Sequence, residues 1–315
     1  MAFYCPNGEM EQALAAAISS LEQDDRPGLS EQLSVTWIRY GQSLRPGSTA
    51  EGQGTHWRGN QARYPASVVK LLYLLAAEAW LQRELIEDSP ELRRALADMI
   101  RDSSNDATGL VVDLLTGTCS GPDLPAAALE SWSQQRQLIN RWYAELGWPE
   151  WPGNNACQKT WGDSPYGRER QSYGPQLENR NRLSSNLTAR VLQAVMGREL
   201  LSPAACGRMQ ELLARSLDPG ERAADPENQV DGFLGGGLPE GAQLWSKAGW
   251  MSQARHDAAY IEVEGKAPAL LVVLSEGPER AQDETLLPNI CRLLINQDAA
   301  NENSSSASGN QLGEH

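Results

Sequence analysis

Residues 67–85 read SVVKLLYLLAAEAWLQREL and predict a helix that begins near Ser67. Apolar side chains cover most of its circumference as far as Glu78, whereas a surface helix carries an apolar stripe on one face only. We therefore expect this helix to run through the interior of a large domain. Its first turn also carries a hydroxyl, on Ser67, and an amine, on Lys70.

Ser67 and Lys70 are three positions apart, so in a helix they lie on one face, within hydrogen-bonding reach. A serine hydroxyl is a weak nucleophile until a base removes its proton, and a lysine whose pKa is lowered by burial can be that base. Arginine cannot, and the chain has only four lysines. The alternative is structural, with Ser67 as a helix cap and Lys70 as a surface residue.

Two further clusters carry hydroxyl, amide and amine groups. Ser103-Ser104-Asn105 lies in a predicted helical region, where a hydroxyl can relay a proton to a leaving nitrogen. Lys247-Ala248-Gly249 lies in a predicted strand, where a cation can bind a carboxylate and glycine lets the backbone come close to a ligand. A helix cap would explain the first cluster structurally, and an exposed strand lysine would explain the second.

In this order, the three clusters resemble the S-x-x-K, S-x-N and K-T-G motifs of class A β-lactamases and penicillin-binding proteins. The resemblance covers most of the chain and includes the wider stretches YPASVVK (64–70), MIRDSSNDAT (99–108), LENRNRLSSNLTARVLQAV (177–195) and SKAGWMSQARHDAAYIE (246–262). It implies an α+β fold of the β-lactamase and transpeptidase type. An antiparallel sheet from both termini is flanked by helices, and the active site lies between it and an inserted helical lobe.

The resemblance implies four catalytic residues. Ser67 would be the acylated nucleophile and Lys70 its general base or proton relay. Ser103 would pass the proton onward, and Lys247 would set the electrostatics around Ser103 and a substrate carboxylate. No metal and no organic cofactor is implied, and the substrate would be a β-lactam or a related amide or ester.

The resemblance also implies residues that bind the substrate. Asn105 would hold the substrate amide, and Ala248 and Gly249 would line the strand beside it. The backbone N–H groups of Ser67 and Trp250 would form an oxyanion hole. Arg255, further along the same predicted hairpin, would be a second anchor for a carboxylate.

The sequence departs from the family pattern at several places. Ser67 and Ser103 are only 36 positions apart, which indicates a trimmed helical lobe. Ser104 stands where the second motif has an acidic residue. Ala248 replaces the hydroxyl-bearing residue of the third motif, a loss for which Ser252 or Arg255 would have to compensate.

The glutamate that activates the deacylating water in class A β-lactamases has no clear counterpart. The motif around that glutamate, E-x-x-L-N, is absent from this sequence. Judged by its distance before Ser184, Glu169 is nearest to the expected position, and Glu178 is the other candidate. For each of them an ordinary surface glutamate is the alternative. Without such a base, acylation proceeds while deacylation stays slow.

The pattern of apolar residues divides the chain into one domain, which the resemblance implies is a serine hydrolase, and a tail. We expect a sheet lobe over about residues 1–66 and 240–300, a helical lobe over about 67–239, and a disordered tail over 301–315. The remaining predicted helices cover 10–23, 187–200, 202–217 and 277–297, with a helical series over 90–115. Strands are predicted over 33–40, 242–250, 256–263 and 268–276, a long loop or a loose hairpin over 41–60, and a long irregular loop over 148–176.

Composition excludes several function classes. The formal net charge of −14 argues against a nucleic-acid partner. No stretch approaches the roughly 20 apolar residues of a membrane span, so we expect no transmembrane helix. Because no export signal is recognisable, we expect a cytoplasmic location, or a periplasmic one if the start omits a leader. Five scattered cysteines and three histidines predict buried thiols and no metal site. We expect a monomer.

Three functions remain open at this point. The first is a β-lactam-hydrolysing enzyme that forms an acyl-enzyme at Ser67. The second is a penicillin-binding protein, a D-alanyl-D-alanine carboxypeptidase or an esterase on the same machinery. The third is a non-catalytic binding module on the same fold, to which the altered second and third motifs would point.

Overall fold

The computed structural model describes residues 3–45, 51–197 and 200–295. Its strands are β1 (Cys5–Pro6), β2 (Leu33–Tyr40), β3 (Gly52–Trp57), β4 (Ala214–Arg215), β5 (Gln243–Met251), β6 (Ala254–Glu262) and β7 (Ala269–Glu276). Its α-helices are α1 (Gly8–Gln23), α2 (Leu29–Gln32), α3 (Val69–Gln82), α4 (Pro90–Arg101), α5 (Asn105–Thr116), α6 (Ala126–Arg136), α7 (Leu138–Glu145), α8 (Gly167–Ser172), α9 (Ser185–Gly197), α10 (Pro203–Leu213), α11 (Pro219–Ala224), α12 (Pro278–Gln282) and α13 (Leu286–Ile295).

The sheet is built from both ends of the chain. Its strand order is β1-β3-β2-β7-β6-β5-β4, and β2 pairs antiparallel with β7. All pairings are antiparallel except the two-residue pairing of β1 with β3, which is parallel. The predicted α+β architecture is confirmed.

The two faces of the sheet pack against different helices. On β6, Ala258 and Tyr260 join a core shared with α3 and α9, whereas Ala259 and Ile261 join a core shared with α1 and α13. This alternation follows from the two-residue period of a strand. Helix α3 is buried at every position from Val69 to Trp80, so it runs through the interior as the sequence predicts.

Several element boundaries differ from the predictions. The segment 41–60 contains β3, which pairs antiparallel with β2 and so agrees with the hairpin alternative, and the loop 148–176 contains α8. The predicted helical series 90–115 consists of two helices, because the chain turns at residues 102–104 between α4 and α5. Helices α6 and α7 were not predicted. The predicted helix 277–297 is also two helices, α12 and α13, and Pro288 lies in the first turn of α13, where a missing N–H is tolerated.

The predictions of buried cysteines and of no membrane-spanning helix can be compared with the structure of the described residues. Cys5 and Cys119 are exposed, so the expectation of buried thiols was wrong for them, while Cys157, Cys206 and Cys291 are buried. No helix within the described ranges combines the length and apolarity needed to cross a bilayer. The predicted disordered tail 301–315 and the end of the predicted closing helix, residues 296–297, lie outside the described residues.

Candidate active site

Ser67 lies in a tight turn that leads directly into α3. Residues Ala66–Val68 form a 3-10 turn, closed by a hydrogen bond of 3.0 Å from Val68 N to the carbonyl oxygen of Pro65. Ala66 has a φ of 46°, in the left-handed region that residues with a Cβ rarely adopt. Such strain persists only where surrounding contacts impose it, and it concentrates at functional sites.

Strand β5 packs directly against this turn through Gly249. A Cβ placed on Gly249 would lie 2.9 Å from the backbone nitrogens of both Ser67 and Val68 and 3.0 Å from the carbonyl oxygen of Pro65. Real Cβ atoms do not approach backbone this closely. Glycine is therefore required here for the strand to come within reach of Ser67.

His256 fixes the backbone just before the turn. Its Nδ1 accepts a hydrogen bond of 2.9 Å from Ser275 N, so its Nε2 carries the proton and donates to the carbonyl oxygen of Tyr64 at 2.8 Å. Burial lowers the pKa of His256 to about 4, which keeps the ring neutral. Tyr64 N also donates to Glu276 Oε1 at 3.3 Å. The sequence did not indicate this role of His256.

Lys70 is fully buried and faces the second motif. Its Nζ contacts Ser103 Oγ at 3.1 Å, Asn105 Oδ1 at 3.0 Å and the carbonyl oxygen of Ser103. Burial lowers the pKa of Lys70 to about 7. The expected hydrogen bond between Lys70 and Ser67 does not appear among the contacts of the described residues, because the amine is turned toward Ser103 and Asn105 instead.

Ser103 lies between the two buried lysines. Its Oγ is 3.1 Å from Lys70 Nζ and 3.1 Å from Lys247 Nζ. Ser103 has a φ of 56°, so its backbone is in the left-handed region. Its neighbour Ser104 caps α5 by accepting a hydrogen bond of 3.1 Å from Ala107 N. The helix-cap interpretation of this cluster therefore applies to Ser104 and leaves Ser103 free for the site.

Lys247 is held by a residue that the sequence did not single out. Its Nζ donates to Ala248 O at 2.8 Å and to Gln229 Oε1, besides contacting Ser103. Gln229 in turn donates through Nε2 to the carbonyl oxygens of Ile100 and Arg101, at 3.2 and 2.7 Å. Burial and then the positive charge of Arg215 hold the pKa of Lys247 well below its usual range. Gln229 lies in a stretch without periodicity, so no sequence signal marked it.

A large cavity opens in front of these groups. Its volume is about 1420 Å³, above the roughly 300–1,000 Å³ of common ligand pockets. Ser67 and Asn105 line it together with Trp250 from β5. Most of the remaining wall comes from residues 160–180, which include the second half of the long loop 148–176. The cavity lining therefore includes one residue from each of the three motif regions.

Arg255 does not face this cavity. Arg255 is not part of the described cavity wall, and its side chain falls on the sheet face that packs against α1 and α13, opposite to Lys247 and Gly249. The guanidinium is buried, with Nε donating to Ala281 O at 3.0 Å and Nη1 to Gly232 O at 3.2 Å. The geometry does not support Arg255 as a carboxylate anchor. Ser252, the other proposed substitute for the lost hydroxyl of the third motif, does line the cavity.

Glu169 is also absent from the cavity wall. It is fully buried, not a surface residue, and both of its oxygens accept hydrogen bonds from Arg136, at 3.0 and 2.8 Å. Ser120 Oγ donates to the same carboxylate at 2.8 Å. With its acceptor sites used in this way, Glu169 is not placed to activate a water at Ser67. Glu178 is exposed and accepts from Gln176 N.

The model of the β-lactamase enzyme family matches residues 42–297, which is most of the chain. The chain belongs to the β-lactamase enzyme family. No curated protein sequence matches it. As a member of this family it is a hydrolase of the β-lactamase type.

Solved structures share the fold of this β-lactamase-family protein. A β-lactamase from Chitinophaga pinensis aligns with a TM-score of 0.62 at 16% identity, covering 93% of this chain and 100% of that one. A β-lactamase from Sphaerobacter thermophilus gives 0.62 at 17%, covering 90% and 95%. A mutant of the protein PBP-A, an acyl-enzyme complex with penicillin G, gives 0.61 at 16%, covering 92% and 96%. At these identities the likeness establishes the fold.

Proposed function

We propose that the protein is a serine acyl-transfer hydrolase that acts on β-lactams and related amides or esters, with Ser67 as its nucleophile. The observation that carries this proposal is the position of Ser103, whose Oγ lies 3.1 Å from both Lys70 Nζ and Lys247 Nζ. Gly249 meanwhile holds β5 against the backbone of Ser67. Two buried lysines around one hydroxyl, beside a serine in a strained turn, are difficult to explain by packing alone.

The proposed acylation step uses these groups and requires Lys70 to turn from Ser103 and Asn105 toward Ser67. With a pKa of about 7, Lys70 is partly neutral near pH 7, and a neutral amine can accept the proton of Ser67. The oxygen of Ser67 attacks the carbonyl carbon, and the oxyanion accepts hydrogen bonds from the backbone N–H groups of Ser67 and Trp250. When the carbon–nitrogen bond breaks, Ser103 Oγ gives its proton to the leaving nitrogen and regains one from Lys70.

Deacylation is where the two enzyme alternatives differ. Water must attack the acyl group on Ser67, and this step is fast only if a base activates that water. Glu169 is held by Arg136, and the carboxylates in the described cavity wall, Asp123 and Asp163, are exposed. This observation favours a long-lived acyl-enzyme, as in a penicillin-binding protein or peptidase, with slow release of product.

One pair of reagents tests both the acylation of Ser67 and the rate of deacylation. Wild type and Ser67→Ala are treated with a fluorescent penicillin and with a chromogenic cephalosporin, and the covalent mass shift is followed by intact-protein mass spectrometry. We expect wild type alone to gain one penicilloyl group and to lose it slowly. Rapid turnover of the cephalosporin would instead support an efficient β-lactamase. The absence of both labelling and simple-ester hydrolysis would support a non-catalytic binding module and contradict the proposal.

A further inference from the structure

One arginine of the cavity wall is held in place by an aromatic ring. The guanidinium carbon of Arg180 lies 3.9 Å from the ring centroid of Tyr64, and both residues line the cavity with Ser67. Tyr64 itself is fixed on both sides of its backbone, through Glu276 at its nitrogen and His256 at its carbonyl oxygen. Because the ring covers a face of the guanidinium, the N–H donors in the guanidinium plane keep their hydrogen-bonding capacity.

These donors have no partner within the protein. Across the described residues, the side chain of Arg180 makes neither a hydrogen bond nor an ion pair, and its ring contact is its one specific interaction. Other arginines of the fold are used differently. Arg63 is paired with Glu276 and Arg136 with Glu169. A partly buried cation with unused planar donors, in the cavity that Ser67 also lines, is suited to bind a carboxylate of a ligand.

Of the other cationic side chains near the reaction centre, Lys247 and Arg255 are not available for an anionic ligand, whereas Arg170 is an exposed arginine of the same cavity wall. Lys247 is fully buried, and three oxygen atoms already surround its amine. An ammonium group has only three donors, so Lys247 would have to give up a protein partner to bind a ligand. Arg255 lies on the other face of the sheet.

The position of Ser103 indicates which half of a substrate Arg180 would meet. The leaving nitrogen must face Ser103 Oγ to receive its proton, so the acyl substituent extends away from it. Ser103 is not part of the described cavity wall, whereas Tyr64 and Arg180 are. The acyl half therefore lies along the wall made by Tyr64 and the long loop.

We propose that Arg180, stacked on Tyr64, binds an anionic group on the acyl half of the substrate, so that the enzyme selects acyl groups that carry a carboxylate. This inference rests on the proposed acylation of Ser67. It assigns a specificity-determining residue on the loop wall rather than a carboxylate anchor on the β5–β6 hairpin.

Two penicillins separate this selectivity from acylation itself. Carbenicillin is benzylpenicillin with one additional carboxylate on the acyl side chain. The second-order rate of Ser67 acylation is measured for both compounds in wild type, Arg180→Ala and Arg182→Ala. Arg182 is exposed, lies outside the cavity wall and carries the same charge, so its replacement controls for long-range electrostatics. We expect Arg180→Ala to lower the carbenicillin-to-benzylpenicillin ratio about tenfold or more and Arg182→Ala to leave it unchanged.

The results that would overturn the selectivity of Arg180 differ from the result that would overturn the acylation of Ser67. Equal losses for both penicillins in Arg180→Ala would mean that Arg180 binds the ring carboxylate common to both, or only supports the fold, and would overturn the proposal. An equal drop in the ratio for Arg170→Ala, a second arginine of the wall, would also overturn it. If wild type is not acylated by either compound, the proposed function fails. Noncovalent binding of the two penicillins to Ser67→Ala, with and without Arg180→Ala, then still tests the selectivity.

Discussion

Arg136 holds both carboxylate oxygens of Glu169, with Nη1 at 3.0 Å from one and Nη2 at 2.8 Å from the other. Lys159 and Asp113 complete the cluster through a contact of 2.6 Å, and Lys159 Nζ lies 3.6 Å from Glu169. The four charges sum to zero inside the helical lobe. Because Glu169 belongs to the long loop and Arg136 to α6, the pair ties the wall of the cavity to the helices behind it.

Glu169→Gln is expected to lower the free energy of unfolding by about 3–5 kcal/mol, because it leaves an uncompensated positive charge in a buried cluster. The lifetime of the penicilloyl-enzyme is expected to stay unchanged. Denaturant unfolding and mass spectrometry of the acyl-enzyme measure the two quantities. A much longer lifetime with little loss of stability would instead make Glu169 the deacylation base.

The double variant Arg136→Met with Glu169→Met provides the matched control. It removes one charge of each sign and leaves Lys159 paired with Asp113, so the cluster remains neutral. We expect the double variant to lose less stability than the sum of the two single variants. Additive losses would contradict the pairing.

The sequence predicted the parts of the fold that depend on periodicity and the parts of the site that depend on short spacing. The apolar circumference of α3 predicted its burial, and the short segments separated by turn residues predicted the strands β5 to β7. The roles of Glu169 and Arg255 could not be derived in this way. Glu169 lies in a loop without periodicity, and its partner Arg136 lies in a helix that was not predicted. For Arg255, the deciding fact is the register of the β5–β6 hairpin, which determines the sheet face of each side chain.

The acylation rate should rise with pH through about 7 and then level off. Lys70 can accept the proton of Ser67 only when it is neutral, and its pKa is about 7, so raising the pH increases the active fraction. Stopped-flow acylation by benzylpenicillin between pH 5 and 9 measures the profile. Lys70→Arg should remove acylation, because arginine stays charged throughout this range.

Asp257 provides a control for that assignment, because burial raises its pKa to about 7 as well. Asp257 lies on the sheet face opposite to Lys70 and accepts a hydrogen bond from Leu234 N, which an asparagine oxygen can also accept. Asp257→Asn should therefore keep the rise in rate near pH 7. If the rise is lost in this variant, Asp257 rather than Lys70 is the group whose titration controls the rate.

Gln229→Met should lower the acylation rate by about tenfold to a hundredfold. It removes one of the three oxygens around Lys247 Nζ, and a buried amine that loses an acceptor costs about 1–3 kcal/mol or turns toward another partner. Gln210→Met is the comparison, because Gln210 also donates to backbone carbonyl oxygens, those of Val195 and Met196, but lies away from the site. Similar acylation rates in the two variants would mean that Gln229 only supports the fold.

Gly249→Ala should reduce acylation by about a hundredfold or more, since displacement of reacting groups by about 1 Å has effects of that size. The added methyl would lie 2.9 Å from the backbone nitrogens of Ser67 and Val68, so either β5 or the nucleophile turn must move. Gly207→Ala is the matched control, because a Cβ at Gly207 in α10 meets no atom within 4 Å. Far-ultraviolet circular dichroism and thermal unfolding verify that both variants fold, and fluorescent penicillin labelling gives the rate. If Gly249→Ala folds and is acylated at the wild-type rate, the contact between β5 and Ser67 is not needed for the reaction.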